Sequence, residues 1–318
     1  MAISSLRRAF VWLACASATL LTACGSSTVE SQLTPSRIIG FGDAFNVVKS
    51  GASYTVNDSA INTWLTQFAS SYGKTLDTSL VYAQGNARIS ATPDAAGSTS
   101  TLTVTQQIDS FLASNSLGSD DVVVINGGIS DLVVEMAAVT AGTETSDTML
   151  ANAKQYGKDL GAQVRRLVNA GGKHVVVVGP YNLGVSPWAT AIGQNDLLKS
   201  ASSAFNEAML VSIVDLGETV LYVDAAYYFN LVQATPSSYG LSNSTDLACT
   251  STDSGAGIGT GTGQVNSSLC TTSTIAAITA NSAGTTYDLY MFADRLYVTP
   301  TVQRLFGVYA YGKVHARW

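Results

Sequence analysis

Three carboxylates stand where chemistry could be done. Asp43 and Asp131 follow the apolar runs Arg37–Phe41 and Asp121–Asn126, and Asp294 lies six residues before Pro300. Two carboxylates in one pocket can divide acid and base work when their surroundings separate their pKa values. A carboxylate beside a histidine can instead support a nucleophile. The chain has only two histidines. His174 opens the run HVVVVG and reads as structural, and His315 sits in the tail KVHARW. Ser186, in GVSPW, lacks the second glycine of a nucleophile elbow because Trp188 stands there. Ser71-Tyr-Gly-Lys74 fits Ser-x-x-Lys, but Gly73 places it at a helix end, where a solvated turn is expected. Asp43 and Asp131 are therefore expected to brace loops through backbone hydrogen bonds. No Cys-x-x-Cys or His-x-x-x-His pair occurs, and neither a metal site nor a cofactor is expected.

The elements that must position these groups alternate between two periods. Apolar runs over residues 37–41, 121–126, 174–179 and 219–224 read as buried strands. Helical spacing predicts helices over 59–72, 105–114, 146–170, 196–216 and 300–313. Strands that are apolar on both faces and separated by helices imply a parallel sheet covered on both sides. The expected fold is α/β, a flavodoxin-like three-layer α/β/α domain over residues 37–318. Its ligand would lie beyond the carboxyl ends of the strands. Tyr227, Tyr228 and Phe229 could line a groove there or serve as packing.

Phe41-Gly42-Asp43-Ala44-Phe45 resembles block I of the SGNH (GDSL) hydrolases, Phe-Gly-Asp-Ser-Leu. Four further segments follow in the family's order. Tyr82-Ala-Gln-Gly85-Asn-Ala87 resembles block II, and Gly128-Ile-Ser130-Asp131 resembles block III, Gly-x-Asn-Asp. Pro180-Tyr-Asn-Leu-Gly184 matches the family's Pro-x-x-Leu-Gly turn, and Asp294-Arg-Leu-Tyr297-Val-Thr-Pro300 resembles block V, Asp-x-x-His-x-Thr-Pro. The resemblance implies the SGNH-hydrolase fold and ester hydrolysis by Ser, His and Asp, with an oxyanion hole built partly from a Gly N–H and an Asn. Carried over by position, the nucleophile is Ala44, the base Tyr297 and the oxyanion Asn Ser130, while Gly85 and Asp294 match. Alanine has nothing to attack with, and a phenol of ordinary pKa near 10 is a poor base. The resemblance therefore implies a catalytically degenerate site that binds an acyl, lipid or acetylated-glycan ligand. The alternative is an active carboxylic-ester hydrolase with a rearranged site, using Ser130 or a water activated by Asp294.

Residues 1–23 read as a signal peptide, with Arg7-Arg8 before the apolar stretch Ala9–Leu21. Leu21-Thr-Ala-Cys24 resembles the bacterial lipobox, which makes Cys24 the lipidated residue and the lipid the membrane anchor. Gly25 after it favours the outer membrane by resemblance to Gram-negative lipoproteins. Residues 24–36 read as a polar tether. In an oxidising compartment Cys249 and Cys270 are expected to form a disulfide closing the Gly/Ser/Thr-rich loop 249–270, the alternative being two free thiols. Charged residues make up only 12% of the chain and the formal net charge is −6. With no basic run longer than two, nucleic acid is excluded as a partner. In a bacterial host, Cys24→Ala is expected to move the protein from the membrane fraction to the soluble one. Continued membrane association would contradict the anchor.

Overall fold

The computed structural model describes residues 33–58, 61–276 and 287–318. The signal peptide, Cys24 and most of the tether fall outside them. The tether's end does not: Leu33 N–H donates to the Trp318 carbonyl at 3.3 Å and Ser36 N–H to the Asp120 carbonyl at 2.8 Å.

Four strands form a wholly parallel sheet: β1 (Ile38–Phe41), β2 (Val122–Asn126), β3 (His174–Val178) and β4 (Val220–Tyr222). Every residue of β1 and β2 is buried, as apolar and largely β-branched strands covered on both faces must be. Gly40 also bridges in parallel to Val81, on the edge of β1 away from β2. Counting that segment, β1 lies inside the sheet, and the chain's progression across the sheet reverses beside it. Open α/β sheets bind ligands at such a reversal.

Helices cover both faces. One face carries α1 (Trp64–Ser71), α3 (Ile129–Thr140), α7 (Ala225–Ala234) and α8 (Pro300–His315), which pack Trp64, Leu132, Phe229 and Phe306 over Ile38, Val122 and Val176. The other carries α2 (Val104–Leu112), α4 (Ser146–Asn169) and α6 (Asn195–Ser212), whose Phe111, Leu160 and Phe205 cover Ile39, Val123 and Val175. The fold is thus α/β, with a central parallel sheet between helical layers, as the alternating pattern implies. Helices α4 and α6 touch backbone to backbone, because a Cβ on Gly157 would stand 2.2 Å from the Phe205 carbonyl oxygen.

Caps account for most boundary differences. Helix α1 begins at Trp64 because Thr63 caps it in a reciprocal box with Thr66, so Ile61 lies outside the helix and is exposed. Helix α6 stops at Ser212, and residues 214–216 tighten into a separate 3₁₀ turn. Helix α3 was not expected. It is buried nearly all round its first two turns, Ser130, Asp131 and Glu135 included, so polar residues interrupt the apolar stripe that periodicity detects. A short helix α5 (Pro187–Ile192), capped by Ser186, and a small parallel pair, β5 (Asn243–Leu247) with β6 (Tyr290–Phe292), also lie outside the sequence pattern. Tyr228 and Phe229 of α7 are buried packing, whereas Tyr227 is exposed.

Cys249 and Cys270 are disulfide-bonded, with Cα atoms 5.8 Å apart. A ring of this length constrains the unfolded chain by about 3 kcal/mol. The enclosed loop is not structureless, contrary to what its composition implies. Thr252 and Val265 pair across it, and the Asp253 carboxylate accepts from Gly255 N–H and the Asn266 amide. Ile258 is buried, and the loop docks through Asn86 Nδ2, which donates to the Gly257 carbonyl at 2.8 Å.

Candidate functional site

The site forms where β1 and β2 end. Gly42 turns the chain at φ +145°, a conformation open to glycine, and a Cβ there would lie 1.7 Å from Asn126 Oδ1. Gln107 of α2 clamps this turn from the other side. Its Oε1 accepts from Gly42 N–H at 2.8 Å and its Nε2 donates to the Gly42 carbonyl at 2.9 Å. Asn126, the last residue of β2, accepts Asp43 N–H on Oδ1 at 3.2 Å and donates from Nδ2 to Asp43 Oδ1 at 2.6 Å. The same Asp43 oxygen accepts Phe45 N–H at 3.0 Å, which closes the short turn holding Ala44. Asp43 is thus a loop brace, as expected.

Asp131 is also a brace, but more than a backbone one. It forms an ion pair with Arg88 at 3.1 Å and accepts Ile89 N–H at 3.1 Å. Arg88 continues to the Tyr156 hydroxyl, which donates to Glu135 at 2.5 Å. This network ties the segment after Gly85 to α3 and α4.

Asp294 accepts three backbone hydrogen bonds. Its Oδ1 accepts Leu296 N–H at 2.8 Å and Tyr297 N–H at 2.7 Å, and its Oδ2 accepts Ser267 N–H at 2.9 Å. The carboxylate thus orders the turn before α8 and pins the disulfide loop over it. Burial raises its pKa, against the lowering effect of these donors.

The four positions singled out by the sequence motifs are buried. Ala44, Ser130, Asp294 and Tyr297 are each at most 2% exposed. Ser130 Oγ is buried with no hydrogen-bond partner among the described residues. Tyr54, which no sequence signal marks, fills the remaining space. Its ring meets Tyr297 edge-on at 5.2 Å, and its hydroxyl lies 1.7 Å from where a Cβ on Gly85 would be. Burial, followed by the nearby Asp294 charge, pushes the Tyr54 phenol up to about 12. Burial and the Asp43 charge lift Tyr297 well above the ordinary tyrosine range. Neither phenol can take a proton from a nucleophile at neutral pH.

Neither histidine lies at the site. His174 opens β3, at the end of the sheet opposite the site, and packs against Trp318. His315 ends α8, about 22 Å along the helix from Pro300, and packs on Tyr311. Ser186 is a helix cap that donates to the Leu183 carbonyl at 2.6 Å, and Ser71 Oγ bonds the Gln67 carbonyl at 3.0 Å. Among the described residues, no group of three or more His, Cys, Asp or Glu could hold a metal ion.

Just outside Tyr54 lies an open cleft of about 460 Å³. Lys49, Tyr54, Gln84, Gly85, Thr101 and Ser268 supply its polar wall. The segment carrying Gln84 and Gly85 is fixed to β1 through Tyr82 N–H to the Gly40 carbonyl at 2.7 Å and Gln84 N–H to the Gly42 carbonyl at 3.2 Å.

Burial holds the Asp43 carboxyl at about 6, against an ordinary value of 3.8. A folded-state pKa above the unfolded one means that the folded protein binds the proton more tightly. The resulting stabilisation is complete below about pH 4 and lost as pH rises through about 6. It amounts to about 3 kcal/mol. Asp43→Asn keeps the Oδ1 acceptor and removes the buried charge. Urea unfolding at about pH 4.5 and 7.5 should show the variant losing less stability than the natural protein across that interval. An unchanged difference would contradict the assignment.

No family model matches the chain, and no curated protein matches it. Among solved structures 26 chains match. One of these is 17% identical over 66% of this chain and 86% of its own length, with a TM-score of 0.41. At that distance it assigns neither family nor activity.

Proposed function

We propose that this chain is a non-catalytic protein of the SGNH/GDSL hydrolase type, exported and anchored through Cys24 to the outer membrane, which binds a ligand instead of hydrolysing one. The observation that carries the reading is Tyr54, seated against Gly85 and Tyr297. Tyr54 takes the space beside Gly85, and Ala44 offers an ester carbonyl no nucleophile. Loss of nucleophile and base leaves only background-type catalysis. The cleft outside Tyr54 takes the place of the substrate groove. Its amide, hydroxyl and ammonium groups suit a glycan such as an acetylated one better than an acyl chain or a lipid tail.

The test is turnover of p-nitrophenyl acetate, butyrate and octanoate by the full-length protein in detergent, alongside mass spectrometry after fluorophosphonate treatment. The expected result is hydrolysis at the buffer rate and no adduct. Turnover that disappears in Ser130→Ala, or a serine-linked adduct, would establish the rearranged hydrolase instead.

A further inference from the structure

The two most exposed large apolar side chains among the described residues stand three residues apart. Val211, in the last turn of α6, is 75% exposed, and Val214, which opens the following 3₁₀ turn, is 79% exposed. Leu210 beside them is exposed as well. Single apolar residues scattered over a surface need no explanation, but a cluster marks a contact. From Val211 the surface continues along the seam of α6 and α4 as a groove of about 400 Å³, lined by Ala204, Ala208 and the side chains of Lys154, Lys158 and Glu207.

What lies against this cluster follows from where the tether ends. Leu33 N–H donates to the Trp318 carbonyl at 3.3 Å, the Trp318 indole N–H donates to the Glu218 carbonyl at 3.2 Å, and the Arg317 guanidinium donates to the Gly217 carbonyl. Gly217 and Glu218 directly follow the 3₁₀ turn that Val214 opens. Trp318 also meets the ring of His174, the first residue of β3, at 4.9 Å, at the end of the sheet opposite the candidate site. The tether thus leaves the fold on the end that carries Val211 and Val214. Nine residues separate Cys24 from Leu33, about 30 Å at full extension, so a lipid on Cys24 keeps that end within reach of the bilayer. A contact tethered this closely is intramolecular in effect, so a small apolar surface suffices to hold it. The charges on this end are of both signs, Arg165 pairing with Asp215 beside Val214 and Arg37 with Asp121, so apolar contact and not charge carries the docking.

We infer that Val211 and Val214 dock on the lipid surface that holds Cys24. The sheet then stands with the amino ends of its strands toward the membrane, and the candidate site at their carboxyl ends faces away from it. This rests on the lipid anchor of the proposed function and on nothing said there about catalysis or ligand.

The test uses the mature lipidated protein in vesicles of phosphatidylethanolamine and phosphatidylglycerol, with the environment-sensitive dye NBD on Val214→Cys or, as the distant control, on Ser146→Cys. Ser146 opens α4, about 35 Å along the helix from Asn169. Dibrominated acyl chains should quench the dye at position 214 and leave it bright at position 146. Val211→Asp should remove the quenching, and raised salt should leave it unchanged. Equal quenching at both positions, none at position 214, or its loss in raised salt overturns the apolar docking. A blue shift at position 214 without quenching, growing with protein density, assigns the face to a second copy of the chain and overturns the lipid. The protein without an added cysteine should take up no dye, because Cys249 and Cys270 are paired, Cys24 is acylated and Cys15 leaves with the signal peptide. Dye on Cys24 overturns the anchor and the docking with it. A lipidated protein whose Val214 stays in water overturns the docking alone.

Discussion

Asn126 and Asp43 tie β1 to β2 at the point where the strand order reverses, and the rest of the site is built on that junction. The two side chains exchange hydrogen bonds on both the backbone and the carboxylate of Asp43. The close approach leaves no space for a side chain at residue 42, hence the glycine with positive φ. Gln107 completes the clamp from the opposite helical layer. The cost is a fully buried carboxylate whose pKa is lifted by burial. Ala44 follows this junction directly and is buried.

The charged groups around the junction serve as architecture. Asp294 accepts three backbone N–H groups and thereby holds together the disulfide loop and the turn before α8. Asp131 anchors a polar network reaching to Glu135 through Arg88 and Tyr156. Tyr54 and Tyr297 pack against each other beside Gly85. What stays open to solvent is the cleft beyond Tyr54, whose wall is made by the loop before α1, the segment after Val81 and the disulfide loop.

Much of this organisation is legible in the sequence, for physical reasons. Strands such as VVVIN and HVVVV are apolar at every position, and only burial on both faces permits that. Helices α2 and α4 follow from spaced apolar residues and threonine caps. The bracing role expected for Asp43 is what its bonds to Phe45 N–H and Asn126 show. The expected Cys249–Cys270 bridge is present. Tyr54 is illegible because it lies in an irregular segment and acquires its role only through contact with Gly85 and Tyr297, distant in sequence. Helix α3 buries Ser130, Asp131 and Glu135, so polar residues interrupt the stripe that periodicity detects. The order within loop 249–270 comes from Asp253, Asn266 and Asn86, whose bonds no composition reveals.

The proposed reading makes buried Ala44 the nucleophile position and Tyr54 the side chain that closes it. Thiol labelling measures this directly. Ala44→Cys places a small reactive probe at the position, and Cys249 and Cys270 are already paired. With a methanethiosulfonate reagent, the account predicts slow labelling while Tyr54 is present and labelling at least about tenfold faster once Tyr54→Ala is added. Labelling of Ala44→Cys at the rate of an exposed cysteine, with Tyr54 in place, would contradict it.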